Sequence, residues 1–320
     1  MSSSKALIAR RIAEAVSAAW YSATPCAERI DIPLGAVAAL ALIQPLDHAK
    51  AQAMAATLRA TGEPELLREL ERLWDLVWVM GNPYLVTVAA PVHDWIRENP
   101  DSQTIAAVRS VMTAALDTGI HELTGDMDPA HRSDADLLGE VLTALRAPGA
   151  RKGIGEYHTP PDIAELAARM VFQSEGGLRE PGTSVLDCAV GTGDLIRGAA
   201  QAIRAAGGNP ADYRWVLGDI NPLAAAACAV NAFVWGLGPD VLIYCADSLA
   251  DPTAPEREAE HRHAVLAHYA DQFTRARCIA ATRDAMRLLG CCHRSRRIPG
   301  PALRRRNSGG DKGGLPDRDR

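Results

Sequence analysis

Aromatic side chains are scarce in this chain, at 5% of 320 residues, and only three of them are phenylalanine. With 48% hydrophobic residues overall, alanine has to fill much of the interior, which predicts alanine-rich helix packings in an ordinary globular composition. Excess positive charge is also lacking. A net charge of −5 gives no global field for a polyanion, so any nucleic-acid contact needs a local basic patch or a partner subunit. Long apolar runs are missing as well: Gly35–Ile43 is the longest, far short of the roughly 20 residues that span a bilayer. Met1-Ser-Ser-Ser-Lys leads into an amphipathic pattern without the features of a signal peptide. The expected location is cytoplasmic, with no membrane partner. Cysteine is present, but its seven copies include no C-x-x-C pair, which argues against a disulfide framework. Cys291-Cys292-His293 has no second pair to close a tetrahedral site, so no metal is expected. His261, His263 and His268 fall in a charged helical stretch and read as a solvated face.

What is present divides at about residue 150. From Lys5 onward the apolar residues recur at helical spacing: Ile12, Val16 and Trp20, then a buried helix over Leu34–Ile43 that Pro45 stops. His48–Thr61 ends at Gly62. Glu63–Met80 carries Leu66, Leu67, Leu70, Leu73, Trp74, Leu76 and Val77 as a wide apolar stripe, and Gly81-Asn82-Pro83 breaks it. Ser102 is the expected N-cap of a helix over Thr104–Leu116, with Gly119 as its stop. Core packing accounts for the large apolar residues here, and this half shows no chemistry of its own. A polar stretch, Thr124–Asp134, precedes a short helix in D-L-L-G-E-V-L-T-A-L from Asp136. The glycine-rich, basic joint Arg146–Gly155 is the natural boundary. In the joint, Arg146, Arg151 and Lys152 suit phosphate contact and a solvated linker equally.

Beyond the joint the period changes. Helices over Pro161–Phe172, Asp194–Ala206 and Pro222–Trp235 alternate with strands at Ser184–Asp187, Tyr213–Asp219 and Val241–Ala246. The alternation predicts an α/β fold with a parallel sheet, the first strand buried. Ligands on such a sheet bind at the carboxyl ends of the strands, and Asp187, Asp219 and Asp247 stand at or just past those three ends.

The chain centres on T-S-V-L-D-C-A-V-G-T-G-D-L-I, Thr183–Ile196. A strand, a turn from Ala189 through Gly191 and Gly193, and a helix opening at Asp194 bring backbone N–H groups close to a ligand. That geometry serves dinucleotides and S-adenosylmethionine alike. The third glycine of the dinucleotide fingerprint is missing, which makes the first reading poor. Asp187 beside the turn suits a cation such as an amine or sulfonium and repels phosphate. Asp219 can accept two ribose hydroxyls, and Asp247 stands where an adenine amino group would arrive. Each of the three could instead cap its following turn; three in consecutive strands beside a glycine turn favour a site.

Gly155-Glu-Tyr-His-Thr-Pro160, V-L-D-C-A-V-G-T-G-D-L-I, L-G-D-I-N-P and A-D-S-L-A-D together resemble the adenine-specific N6 DNA methyltransferases, in particular the modification subunits of type I restriction systems. The likeness runs over about Asp136–Asp251 and loosely over the helical half. It implies a Rossmann-like methyltransferase sheet behind an all-helical N-terminal domain. It also implies S-adenosylmethionine as methyl donor, DNA as substrate, and specificity and restriction subunits as partners. By the same resemblance Tyr157, Thr159 and Pro160 line the cofactor pocket, with Asp187, Ala189, Gly191 and Gly193 at the methionine end, Asp219 at the ribose and Asp247 at the adenine. His158, Cys188 and Val190 depart from the family pattern, while the glycines and acids are intact.

One family element is missing. Methylation of an exocyclic amine relies on [DN]-P-P-[FYW], which accepts the N6 hydrogens and stacks on a flipped base. No such tetrapeptide follows Asp247, and Gly81-Asn82-Pro83-Tyr84 lacks the second proline and reads as a helix break. Instead, Pro255–Leu289 reads as one charged helical stretch, and Gly290–Arg320 is arginine-rich and aperiodic, either a disordered basic arm for DNA phosphates or out-of-frame translation. The expected organisation is thus 1–150 helical, 151–254 a partial methyltransferase domain, 255–289 helical and 290–320 a basic tail. The expected function is N6-adenine methylation of DNA, with cofactor binding surviving better than methyl transfer. The alternatives are a non-catalytic binding subunit and a methyltransferase of another substrate class.

Overall fold

The computed structural model describes residues 2–23, 28–44, 46–80, 82–146, 161–172 and 180–288. The chain forms two compact units, Met1–Ala270 and Asp271–Arg320. In the first, the helices described before residue 147 include α1 (Ser2–Ala23), α2 (Asp31–Ala41), α3 (His48–Ala60), α4 (Glu63–Met80), α5 (Pro83–Val88), α6 (Ser102–Thr118), α7 (His121–Thr124), α8 (Pro129–Arg132) and α9 (Leu137–Leu145). Their starts follow local chemistry. Asn82 caps α5 by accepting from the Tyr84 and Leu85 amides, with Pro83 at the first helical position. Asp136 caps α9 through the Gly139 amide at 2.9 Å. The cap of α6 is Asp101, which accepts from Thr104 N–H at 2.7 Å, and not the expected Ser102. Both residues have capping side chains, but Asp101 has the extended backbone a cap requires. Gly119, with φ +100°, ends that helix as expected. On α4 the buried stripe is narrower than the sequence suggests: Leu66, Leu70, Trp74 and Val77 are buried, and Leu76 is exposed.

After α10 (Pro161–Phe172), β1 (Ser184–Asp187), α11 (Asp194–Ala205), β2 (Arg214–Asp219), α12 (Pro222–Val234) and β3 (Val241–Cys245) form a three-stranded parallel sheet in the order β1-β2-β3. Val185 pairs with Trp215, and Leu217 with Ile243. Asn221 caps α12, whose alanines are nearly all buried and allow it to lie close to its neighbours. It packs against β3, α5 and α9, so the helical segments and the sheet share one core, with Trp20, Tyr84, Trp215 and Trp235 fully enclosed. The final helix, α13, covers Ala254–Leu288; in the second unit its described residues are exposed. No helix among the described residues is long and apolar enough to cross a membrane.

The two sheet edges differ. β3 is sealed: the Tyr84 hydroxyl accepts from Ile243 N–H at 3.0 Å and stands 2.9 Å from both the Ile243 carbonyl and Glu258 Oε1. β1 is the opposite edge among the described residues, and it is not the buried strand its apolar letters suggest. Leu186 is 67% exposed, above a shallow groove that Val171 and Leu195 also line. Burial of a four-residue strand depends on neighbours on both sides, which its own sequence cannot state.

Candidate functional site

The turn between β1 and α11 is built from two left-handed glycines, Gly191 (φ +57°) and Gly193 (φ +105°), around Thr192. A side chain on Gly193 would in addition meet the Trp235 ring at 3.0 Å. In front of the turn lie the strand ends. Val190 N–H donates to the Gly218 carbonyl (2.8 Å) and Gly191 N–H to Asp219 Oδ2 (2.7 Å), which ties the turn to the end of β2. The other Asp219 oxygen accepts from Asn221 N–H at 2.8 Å. Asp187 accepts from Ala189 N–H at 3.1 Å. Burial pushes the Asp187 carboxyl above its ordinary value, and the charge of Asp219 adds to the rise, against the Ala189 amide. The first turn of α11 carries a further carboxylate, Asp194, ion-paired with Arg197 at 2.7 Å and little exposed. The charge of Asp194 is met by Arg197, so the open acidic charge beside the turn is that of the strand ends.

Asp247 is placed differently. It is exposed, two residues beyond β3, and its Oδ1 accepts from Leu249 and Ala250 N–H at 3.0 and 3.3 Å. All three acids thus cap the turn that follows them, and Asp219 alone also binds across to the glycine turn. Tyr157, Thr159 and Pro160 lie outside the described residues, as do most of the joint and the tail from 289. Arg146 does not behave as a solvated linker residue: it is 7% exposed, and the charge of Asp219 acts on it.

Behind the turn stand residues that the sequence did not single out. Thr192 is 2% exposed and its hydroxyl donates to Asp136 Oδ2. Asn231 of α12 donates to Asp136 Oδ1 and to the Thr192 carbonyl, both at 2.9 Å. Burial of the Asp136 carboxyl, with the charge of Asp194, pushes it up to about 6. On the far side, the Tyr244 ring lies over Gly218, where a Cβ would meet it at 2.2 Å. Its hydroxyl is 3.1 Å from Ser248 Oγ, which donates to the Cys188 carbonyl at 3.1 Å. Glycine at 218 and asparagine ten residues into a helix were the visible signals, but neither has a meaning until its partner is known. No cluster of metal-ligating side chains occurs among the described residues.

A glycine turn at the carboxyl end of a parallel sheet, flanked by carboxylates, is an arrangement of the Rossmann-like class. Comparison with known proteins narrows the class. The N-6 DNA Methylase family matches residues 133–284, a little under half of the chain, over the same stretch in which the sequence motifs resemble such enzymes. A solved methyltransferase subunit of a type I restriction-modification system from Streptococcus thermophilus is similar at 14% identity and a TM-score of 0.40, over 78% of this chain. This chain spans 60% of that one's length. No curated protein matches.

Proposed function

We propose that the turn Ala189–Gly193, with Asp187 and Asp219, binds S-adenosylmethionine, and that the chain derives from enzymes that methylate adenine N6 in DNA. The observation that supports this most is the charge of the site: a glycine turn that elsewhere receives phosphate is here bordered by the strand-end carboxylates Asp187 and Asp219. The residues fit a cationic cofactor. Asp187 faces the amine or sulfonium, Asp219 accepts ribose hydroxyls while holding Gly191, and Asp247 serves the adenine end. When bound, the cofactor supplies an electrophilic methyl group. We further assign residues 151–254, with Tyr157, Thr159 and Pro160, to the cofactor, residues 1–150 to its support, and the basic 290–320 stretch to DNA phosphates or to no function. DNA, and specificity and restriction subunits, are the partners this reading implies, in the cytoplasm.

A second reading rests on a specific observation. Within residues 248–320 no [DN]-P-P-[FYW] occurs, and on that observation the alternative we propose is that these 320 residues by themselves bind the cofactor without turnover. Titration calorimetry with S-adenosylmethionine tests the binding. Asp219→Asn is expected to weaken affinity about 10- to 100-fold, from the roughly 1.5–3 kcal/mol of a charge-assisted bond. An unchanged affinity would remove Asp219 from the site. Transfer of labelled methyl to unmethylated duplex DNA by this chain alone would overturn the second reading and favour an active enzyme.

A further inference from the structure

The Gly191–Gly193 turn has a mechanical requirement. Its two glycines adopt left-handed backbone angles on either side of Thr192, and glycine has the most conformational freedom to lose. A site that must present amides in one arrangement therefore needs the turn held from outside. The front is tied by Asp219, through Gly191 N–H. The back is tied by side chains from elsewhere in the fold.

Thr192 is the point of attachment. Its side chain turns away from the acidic strand ends and is buried, donating to Asp136, which lies 56 residues earlier at the start of α9. Asn231 completes the triangle by donating both to Asp136 and to the Thr192 carbonyl. Space for the triangle comes from Gly139: a Cβ there would stand 2.3 Å from Asp136 Oδ2 and 2.7 Å from Thr192 Oγ1. Helix capping alone needs only one oxygen of Asp136, the one that accepts from Gly139 N–H. The second oxygen serves Thr192.

We propose that Asp136 is a positioning residue of the cofactor site: from the helical N-terminal half it clasps Thr192 and holds the glycine turn in the form that receives S-adenosylmethionine, an inference that rests on the function proposed above. The half of the chain that seemed to have no chemistry then contributes directly to the affinity of the site.

The test compares Thr192→Val, Thr192→Ser and Gly139→Ala with the full-length parent, using S-adenosylmethionine as the probe in calorimetry, thermal melting, and amide exchange at Thr192 and Gly193. Thr192→Val keeps the shape and removes the donor. It is expected to weaken affinity at least tenfold and speed exchange at the turn, with melting shifted by no more than a few degrees. Thr192→Ser, which keeps the hydroxyl, is expected to restore both. Gly139→Ala would raise helix propensity in an ordinary position and is expected instead to weaken binding. Ile12→Ala, a core deletion in α1, is expected to lower the melting temperature and leave affinity unchanged. If Thr192→Val binds as the parent does, the clasp is structural only and the proposal fails. If the parent itself binds no S-adenosylmethionine, the functional reading fails, and exchange decides the clasp: faster exchange in Thr192→Val supports it, and unchanged exchange ends it.

Discussion

At the scale of single residues, Asp136 carries the most distinctive chemistry. It accepts three hydrogen bonds, which favour its charged form, yet burial and Asp194 outweigh them and raise its carboxyl to about 6. A carboxyl raised on folding stabilises the protein in its protonated form. Its contribution is fully present below the unfolded value of about 4 and is lost as pH rises through about 6. The stability of the parent relative to Asp136→Asn is thus expected to fall by roughly 2 kcal/mol between pH 4 and pH 7. Melting both proteins across that range measures it, because other titrating groups cancel in the difference. A difference that does not change with pH would show that this carboxyl is not raised. Asp187 and Asp219 were legible as candidate site residues because an acid at the end of an apolar run beside G-x-G is a local pattern. Thr192 and Asn231 were not, since a threonine between glycines and an asparagine among alanines acquire a role only through Asp136.

At the scale of elements, the boundaries of β1, β2, β3 and the helices between them agree with sequence spacing to within a residue or so. Capping asparagines, proline at first helical positions and paired glycines account for that agreement, because each acts within a few residues of itself. What spacing could not convey is how the two sheet edges end. Tyr84 enters as the second residue of a short helix, and the same tetrapeptide, Gly81–Tyr84, read from sequence as a simple helix break. The break is real, and it also delivers the hydroxyl that pairs with the backbone of Ile243. Burial raises the tyrosine's ionisation range further out of reach, so the group acts as a neutral donor and acceptor. Tyr84→Phe leaves the Ile243 amide without this partner inside the fold and is expected to cost about 1–3 kcal/mol, read from urea unfolding. A cost near zero would mean that β3 finds another partner and that the seal is dispensable. The β1 edge has no counterpart to Tyr84 among the described residues, and its Leu186 stays open to solvent.

At the scale of the whole molecule, the helical segments and the sheet within residues Met1–Ala270 fold around a common core. The chemical division at about residue 150 is therefore not a line along which the protein can be cut without cost. Arg132 donates to the Val234 carbonyl at the end of α12 at 2.7 Å, Tyr84 reaches β3, and Asp136 reaches the glycine turn. Residues 151–320 expressed alone would expose the face of α12 that α5 and α9 cover. They are expected to give a collapsed state that binds a hydrophobic dye and lacks near-ultraviolet dichroism. A dispersed, cooperative unfolding transition from that piece would contradict the shared core.

The amino-acid sequence alone determined the α/β class, the parallel alternation, the glycine turn and the acids at the strand ends, because period, turn chemistry and capping operate over a handful of neighbouring residues. Only the tertiary structure decided that β1 is an open edge, that Asp247 caps its own turn, that Arg146 is buried, and that Asp136 holds the glycine turn from the helical half. Those outcomes depend on groups dozens of residues apart meeting in a shared interior. Burial and partnership of that kind come from how elements pack together and leave no trace in the spacing along a single strand or helix.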